Sequence, residues 1–239
     1  MEKKLLAALL FVCAAQVSAG QPAALDSLRA FPGAPGLTEA AIPLPAAVVE
    51  RGPAEDQARY EKDYLERRDA SGQRIMDKLM YVPGPDPLLT LAQQVAIAHY
   101  TITYEMEPRI LLAGAGKLPK KAAVLYRGQR IGGGMNVMQQ GQTIKLDKIV
   151  SASTSKEVAA GFLQDMAKGE ILVIKAKTAR DISPYSQCRV EGIDEREHFL
   201  MPASRYQVGR IYTDVVTIFS ESTGREEKFK VRHVELSEL

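Results

Sequence analysis

The sequence has no tryptophan and little that binds a metal. Its 239 residues include two Cys and three His, and neither a C-x-x-C nor an H-E-x-x-H spacing occurs. This excludes a zinc module and a disulfide scaffold, and no metal site is expected. A charge excess is missing too, because 31 basic and 29 acidic residues leave a net charge of +2. So even a balance carries no electrostatic footprint for nucleic acid, and no nucleic-acid partner is expected. Gly and Pro, at 18 and 13 residues, are close to average use, which excludes a collagen-like or wholly disordered chain. There is no internal repeat and no signal for an oligomeric state. What is present is an ordinary globular mix, 46% hydrophobic and 25% charged. The length suits one large or two modest domains of about 100–200 residues each.

Residues 1–19 read as an address. Glu2, Lys3 and Lys4 precede an uncharged run from Leu5 to Ala15, and Val17-Ser18-Ala19 offers small residues for cleavage. That is the order of a secretory signal. The run is short of the roughly 20 residues that span a bilayer. A lipid-attachment reading through Cys13 is weaker, because bulky Val12 precedes it. The expected product starts at Gly20, keeps only Cys188, has no membrane span and is periplasmic or extracellular, with delivery into host cells open to it.

Residues 20–54 are rich in Ala and Pro and read as a leader or linker, with one short helix near Ala24–Ala30. Residues 55–87 form a charged helical segment that ends in the breaker Tyr81-Val-Pro-Gly-Pro-Asp-Pro87. The spacing predicts helices over Leu88–His99 and Glu107–Ala113, the second stopped by Gly114 and Gly116. Residues 118–239 then turn to strands at Ala122–Tyr126, Thr143–Val150, Ile171–Ala176, His198–Met201, Tyr206–Ile211, Val215–Phe219 and Lys228–Val234. One helix, Ser155–Ala167, interrupts them, with Val158, Ala159, Phe162 and Met166 as its apolar face. Ser222-Thr-Gly224 reads as a hairpin tip. Helices first and strands afterwards predict an α+β fold.

Three short elements carry chemistry. Val124-Leu-Tyr-Arg-Gly128 ends an apolar strand with an Arg whose planar fork suits a phosphate, and the Gly lets a ligand approach the backbone. Alone, it also fits a surface Arg at a strand end. Ser153-Thr154-Ser155 offers three hydroxyls where a strand gives way to a helix, for a ligand or for a plain helix cap. Glu195-Arg-Glu197 opens the next strand, and alternation puts the two carboxylates on one face. Paired carboxylates there are either a solvated rim or have chemistry to do. Gly132-Gly-Gly134 lacks the Lys-Ser/Thr of a phosphate loop and reads as a flexible connection. His99 and His233 read as a helix-face and a strand residue.

In this order the three elements resemble the R-S-E group of ADP-ribosyltransferases, which includes arginine-specific mono-ADP-ribosyltransferases and many bacterial exotoxins. Ser153-Thr-Ser-Lys-Glu-Val-Ala-Ala-Gly-Phe162 is similar to the family's STS-xxx-VA-xx-F. Asp181-Ile-Ser-Pro184 is similar to its strand exit before the substrate loop. Ile97-Ala-His-Tyr-Thr101 through Arg109 and Lys117-Leu-Pro119 is similar to its link into the Y-R-G strand. Ser204-Arg-Tyr-Gln-Val208 is similar to the stretch after E-x-E. The resemblance spans roughly residues 88–236, the catalytic unit being 88–239. It departs after Glu197, where the family often has an aliphatic triplet and then Pro. Here His198 intrudes and Pro202 falls one position late. A register keyed on Pro202 would put His198 at the catalytic position. The distance from Glu197 to Val208, and the fit of Glu195, favour Glu197.

The resemblance implies two packed β-sheets with N-terminal helices and NAD, as co-substrate, in the cleft between the sheets. It implies that Glu197 holds the ribose 2′-hydroxyl and stabilises a developing oxocarbenium ion. Ser153 would orient Glu197, and Arg127 would hold the phosphates. Gly128, Thr154 and Phe162 would line the NAD site, Phe162 by packing on nicotinamide or in the core. Glu195 implies an arginine acceptor on a host protein, because a carboxylate pairs with a guanidinium and takes its proton. Residues Pro184–Asp194 would read that protein, with Tyr185 packing on it and Cys188 an ordinary loop residue. The alternatives are an NAD glycohydrolase, a transferase to a non-arginine acceptor, and an inactive target-binding module.

Overall fold

The computed structural model describes residues 54–68, 72–79, 83–102, 107–131, 137–163, 169–190, 192, 194–220 and 225–239. The signal segment, the helix near Ala24–Ala30, the Gly132–Gly134 connection, Met166 and the Ser222–Gly224 tip lie outside the described residues.

Helix α1 (Ala54–Leu65), α2 (Leu91–Tyr100) and α3 (Pro108–Lys117) precede strand β1 (Lys120–Arg130). Then come β2 (Thr143–Lys145), β3 (Val150–Ser153), α4 (Lys156–Gly161), β4 (Gly169–Asp181), α5 (Gln187–Val190), β5 (Glu197–Leu200), β6 (Arg205–Ser220) and β7 (Arg225–Glu238). Helix α2 starts later than its periodicity suggests because Thr90 caps it. Thr90 and Gln93 exchange side-chain and backbone hydrogen bonds in a capping box. Helix α3 runs through Gly114 and Gly116 to Lys117. Gly114 is a packing residue and not a stop signal: a Cβ there would meet Gln93 Cβ at 3.0 Å, so the glycine lets α3 lie close on α2.

The helices join through polar contacts as well as apolar ones. Glu61 on α1 accepts from Thr90 Oγ1 at 2.7 Å and Gln93 Nε2 at 3.1 Å. Gln93 Oε1 in turn accepts from Lys117 Nζ at 2.8 Å. Tyr64, Val95 and Ile110 fill the apolar seam between the three helices.

The strands form one hydrogen-bonded system in the order β1-β3-β5-β4-β7-β6-β2, with β1 also pairing β4. The two sheets expected from the sequence are therefore fused. A larger sheet, β1-β4-β7-β6-β2, is joined to the β3–β5 pair at Tyr126↔Ser153 and at Arg180↔Phe199. Among the described strands only β4 and β7 run parallel. Leu125, Leu172, Ile174, Leu200, Tyr206 and Val234 belong to one buried cluster. Ile97, Leu111, Ile149, Tyr185 and Phe199 belong to a second, which seats the N-terminal helices on β5. The α+β expectation holds.

Candidate active site

Each chemical element sits where strands converge. Arg127 lies on β1, Ser153 on β3 and Glu197 on β5. Ser153 stands opposite both Tyr126 and Glu197. The register thus brings three segments, distant in the sequence, to one point.

Glu197 is buried, at 9% exposure, and its Oε2 has no hydrogen-bond partner. Burial raises its pKa first, and the neighbouring Glu195 charge raises it further. Ser151 and the Arg127 charge oppose the rise, and the net effect is about 8 against an ordinary 4.5. A carboxyl so placed holds a proton through neutral pH. Arg127 Nη1 donates to the Ser151 carbonyl at 2.7 Å, which aims the guanidinium along β3. Lys148 is half-buried close enough to feel Arg127, and burial and that repulsion lower its pKa.

Two residues to which the sequence reading assigned no role belong to this cluster. Tyr100, the last residue of α2, is buried and packs edge-on to Phe199, with ring centroids 4.9 Å apart. Burial raises its pKa; Arg127 lowers it, Glu197 raises it, and a hydrogen bond with Ser151 lowers it. Ser151 lies two residues before Ser153, and that spacing on a strand was the signal available for it.

The turn that carries the two carboxylates is not built as strand alternation predicts. β5 starts at Glu197, and Glu195 lies before it. Between them Arg196 adopts a left-handed backbone, φ 48°, which costs a residue with a side chain about 1 kcal/mol. Three donors hold this turn. Ser153 Oγ donates to the Glu195 carbonyl at 2.6 Å. The Thr154 amide and His198 Nδ1 both donate to the Arg196 carbonyl, at 3.3 and 3.0 Å. Ser153 also accepts from the Ser155 amide at 2.9 Å, and Ser155 caps α4 through the Val158 amide. Ser153-Thr154-Ser155 is thus a cap and a clamp at once. His198, one residue along β5 from Glu197, points the other way, with Nε2 3.9 Å from Asp181 Oδ2.

The glycine after Arg127 has a different use from the one its motif suggested. A Cβ on Gly128 would lie 2.0 Å from the Ala159 carbonyl oxygen and 3.3 Å from Leu163. The close approach it permits is that of α4, not of a ligand on that side. Helix α4 itself ends at Gly161, and its buried residues are Val158, Ala159 and Ala160, followed by Leu163. Phe162 is 37% exposed and so is not the core residue of that face.

Tyr185, which the sequence offered as an aromatic for a protein substrate, is turned into the fold. It is 8% exposed, and its hydroxyl donates to Asp86 Oδ2 at 2.9 Å. Asp86 also accepts from the Leu88 and Leu89 amides, at 2.7 and 2.8 Å. Nearby, the Gln187 amide donates to Thr101 Oγ1 at 3.0 Å. Cys188 is buried with its thiol on the Thr101 carbonyl. The first half of the loop before Glu195 is therefore fastened to the segments flanking α2. Tyr185→Phe removes one part-buried hydrogen bond, so the melting temperature is expected to fall by about 2 °C. An unchanged melting temperature would show that this bond does not fasten the loop. His99 is buried on α2, and His233 is buried on β7, stacked on Tyr212 at 5.2 Å.

No family model matches the sequence, and no curated relative matches it. The structure does have solved counterparts, and it has the ADP-ribosyltransferase fold. It is similar to the type III effector XopAI from Xanthomonas axonopodis pv. citri, at 15% identity over 82% of this chain and 92% of that one, TM-score 0.52. It is also similar to exoenzyme S from Pseudomonas aeruginosa, solved with human 14-3-3 protein beta and carba-NAD. There identity is 18% over 76% of this chain and 88% of that one, with TM-score 0.52. Vis toxin, an ADP-ribosyltransferase from Vibrio splendidus, aligns at 14% identity over 81% and 90% of the two chains, TM-score 0.43.

Proposed function

We propose that this chain is an exported mono-ADP-ribosyltransferase that moves ADP-ribose from NAD to an arginine of a host protein. The observation that carries the reading is the buried Glu197 carboxyl, with Oε2 unpartnered, beside Glu195 and in the field of Arg127. The fold supports it, since the similar exoenzyme S was solved with carba-NAD.

Arg127 holds the diphosphate of NAD, with the Lys148 ammonium in the same field. Glu197 accepts the ribose 2′-hydroxyl at Oε2 and, once ionised, favours the positive charge that grows on the ribose as its bond to nicotinamide breaks. The bonding pair leaves with nicotinamide, which departs neutral. A guanidinium nitrogen of the acceptor forms the new bond to the same carbon, and its proton passes to Glu195 and on to solvent. Ser153 and Thr154 keep the Glu195–Glu197 turn in place, and Phe162, exposed at the end of α4, offers a ring to nicotinamide.

The test is incubation of the purified chain with NAD and agmatine, an arginine mimic, read by mass spectrometry. ADP-ribosyl-agmatine is expected, and Glu195→Gln should lose adduct by at least about tenfold more than it loses nicotinamide release. Nicotinamide release with no adduct would make the chain a glycohydrolase or a transferase to another acceptor.

A further inference from the structure

His198 is the position at which the chain departs from the surroundings its E-x-E turn otherwise resembles, and it is 2% exposed. We propose that His198 is a positioning residue whose Nδ1–H locks the Glu195–Arg196–Glu197 turn and thereby aims Glu195 at the acceptor. The effect on the acceptor step rests on the ADP-ribosyl transfer reading; the lock on the turn does not.

The turn needs a lock for three reasons. Arg196 is left-handed without being a glycine. It separates two carboxylates whose charges repel. And it precedes β5, so the strand ladder does not reach it. The Arg196 carbonyl compensates by taking two donors, the Thr154 amide at 3.3 Å and His198 Nδ1 at 3.0 Å. A carbonyl only accepts, so Nδ1 carries the proton. Nε2 then faces Asp181 Oδ2 at 3.9 Å, beyond hydrogen-bond reach. An aliphatic side chain at this position supplies no donor and leaves the Arg196 carbonyl with Thr154 alone.

The two glutamates depend on His198 unequally. Glu197 is in register with Ser153, and its carbonyl accepts from the Ile182 amide at 3.0 Å and Ser183 Oγ at 3.3 Å. Glu195 lies before the strand, on the far side of Arg196, and its carbonyl accepts from Ser153 Oγ. Loosening Arg196 therefore moves Glu195 more than Glu197. The expected result is a fall in transfer relative to NAD cleavage.

The experiment compares His198→Leu and His198→Asn in the full chain. Leucine keeps the bulk and loses the donor, whereas asparagine places an amide N–H near the position of Nδ1. Two readouts are taken: hydrogen exchange at the Thr154 amide, and the ratio of ADP-ribosyl-agmatine to released nicotinamide. In His198→Leu, protection of the Thr154 amide should fall about tenfold, as one hydrogen bond in the clamp would give. The adduct ratio should fall about fivefold with the KM for NAD within about twofold of wild type. His198→Asn should restore most of both. Unchanged protection in His198→Leu overturns the proposal, and so do equal losses in the leucine and asparagine variants, which would assign His198 to packing alone. A wild-type chain that cleaves no NAD overturns the reading of the site instead, and the exchange data then decide the lock by themselves.

Discussion

Glu197→Gln should abolish nicotinamide release, by about a thousandfold, and at the same time stabilise the protein at alkaline pH. On the proposed reading, the first effect follows from removing the carboxylate that, once ionised, favours the transition-state cation. Loss of a single group of this kind costs about 10²–10³ in rate. The second follows from the direction of its pKa. Burial and Glu195 lift the Glu197 carboxyl to about 8 from 4.5, so the folded state holds a proton that the unfolded state has already lost between those two values. A group raised in this way contributes stability below its unfolded pKa, and that contribution drains away as pH rises through about 8. Above that pH the native protein carries an ionised carboxylate in a poorly solvated place. Glutamine keeps the shape, still accepts from Ser151, and carries no charge. The melting temperature of Glu197→Gln at about pH 9 should exceed that of wild type by at least about 2–4 °C, the shift for ~1 kcal/mol in a chain of this size. At about pH 5, where both states protonate the wild-type carboxyl more fully, the gap should narrow. A variant that is inactive and equally stable at both pH values would show that the carboxyl is not held in the raised state.

Gly128→Ala is the second large effect, and it acts through packing. A single Cβ would sit 2.0 Å from the Ala159 carbonyl oxygen, an atom of helix backbone that cannot rotate aside. Either α4 lifts from β1 or β1 bows. Overpacking of this kind costs about 1–3 kcal/mol and more where the obstacle is rigid. The melting temperature should fall by about 10 °C. Activity should fall with it, because α4 begins at the Ser153-Thr154-Ser155 clamp, so lifting it pulls Ser153 and Thr154 away from the Glu195 and Arg196 carbonyls. Circular dichroism melts and nicotinamide release on the same samples measure both. A melting temperature within about 2 °C of wild type would mean the helix yields at little cost.

The comparison of sequence with structure divides along a physical line. Residues that signal through their own chemistry were legible. Arg127, Ser153 and Glu197 converge because each sits at or near the end of a strand, and strand ends show in a hydrophobic pattern. The strands themselves were legible as apolar runs but not in their extent. Thr143–Val150 reads as one strand, yet the chain turns at Leu146–Ile149, where the Leu146 amide bonds the Ser204 carbonyl. Tyr206–Ile211 and Val215–Phe219 read as two strands and are the single β6, because pairing with β7 carries it through polar Thr213 and Asp214. Residues whose role comes from a neighbour were illegible. Gly128 announces a close approach to the backbone, and only the position of Ala159 shows that the approach is that of a helix and not of a ligand. Tyr185 looks like a loop aromatic until Asp86, 99 residues away in sequence, supplies its partner. The left-handed Arg196 breaks the two-residue alternation that first paired the glutamates, and nothing local to the sequence announces it.

The most direct measurement is nicotinamide release from NAD by the wild-type chain and by Glu197→Gln, followed as kcat/KM across about pH 6 to 9. The wild type should release nicotinamide, with kcat/KM rising through an inflection near 8, where the buried carboxyl of the free enzyme ionises. Glu197→Gln should show neither the rate nor the inflection. Equal release by the two proteins, or none from the wild type at any pH, would contradict the assignment of this site to NAD cleavage.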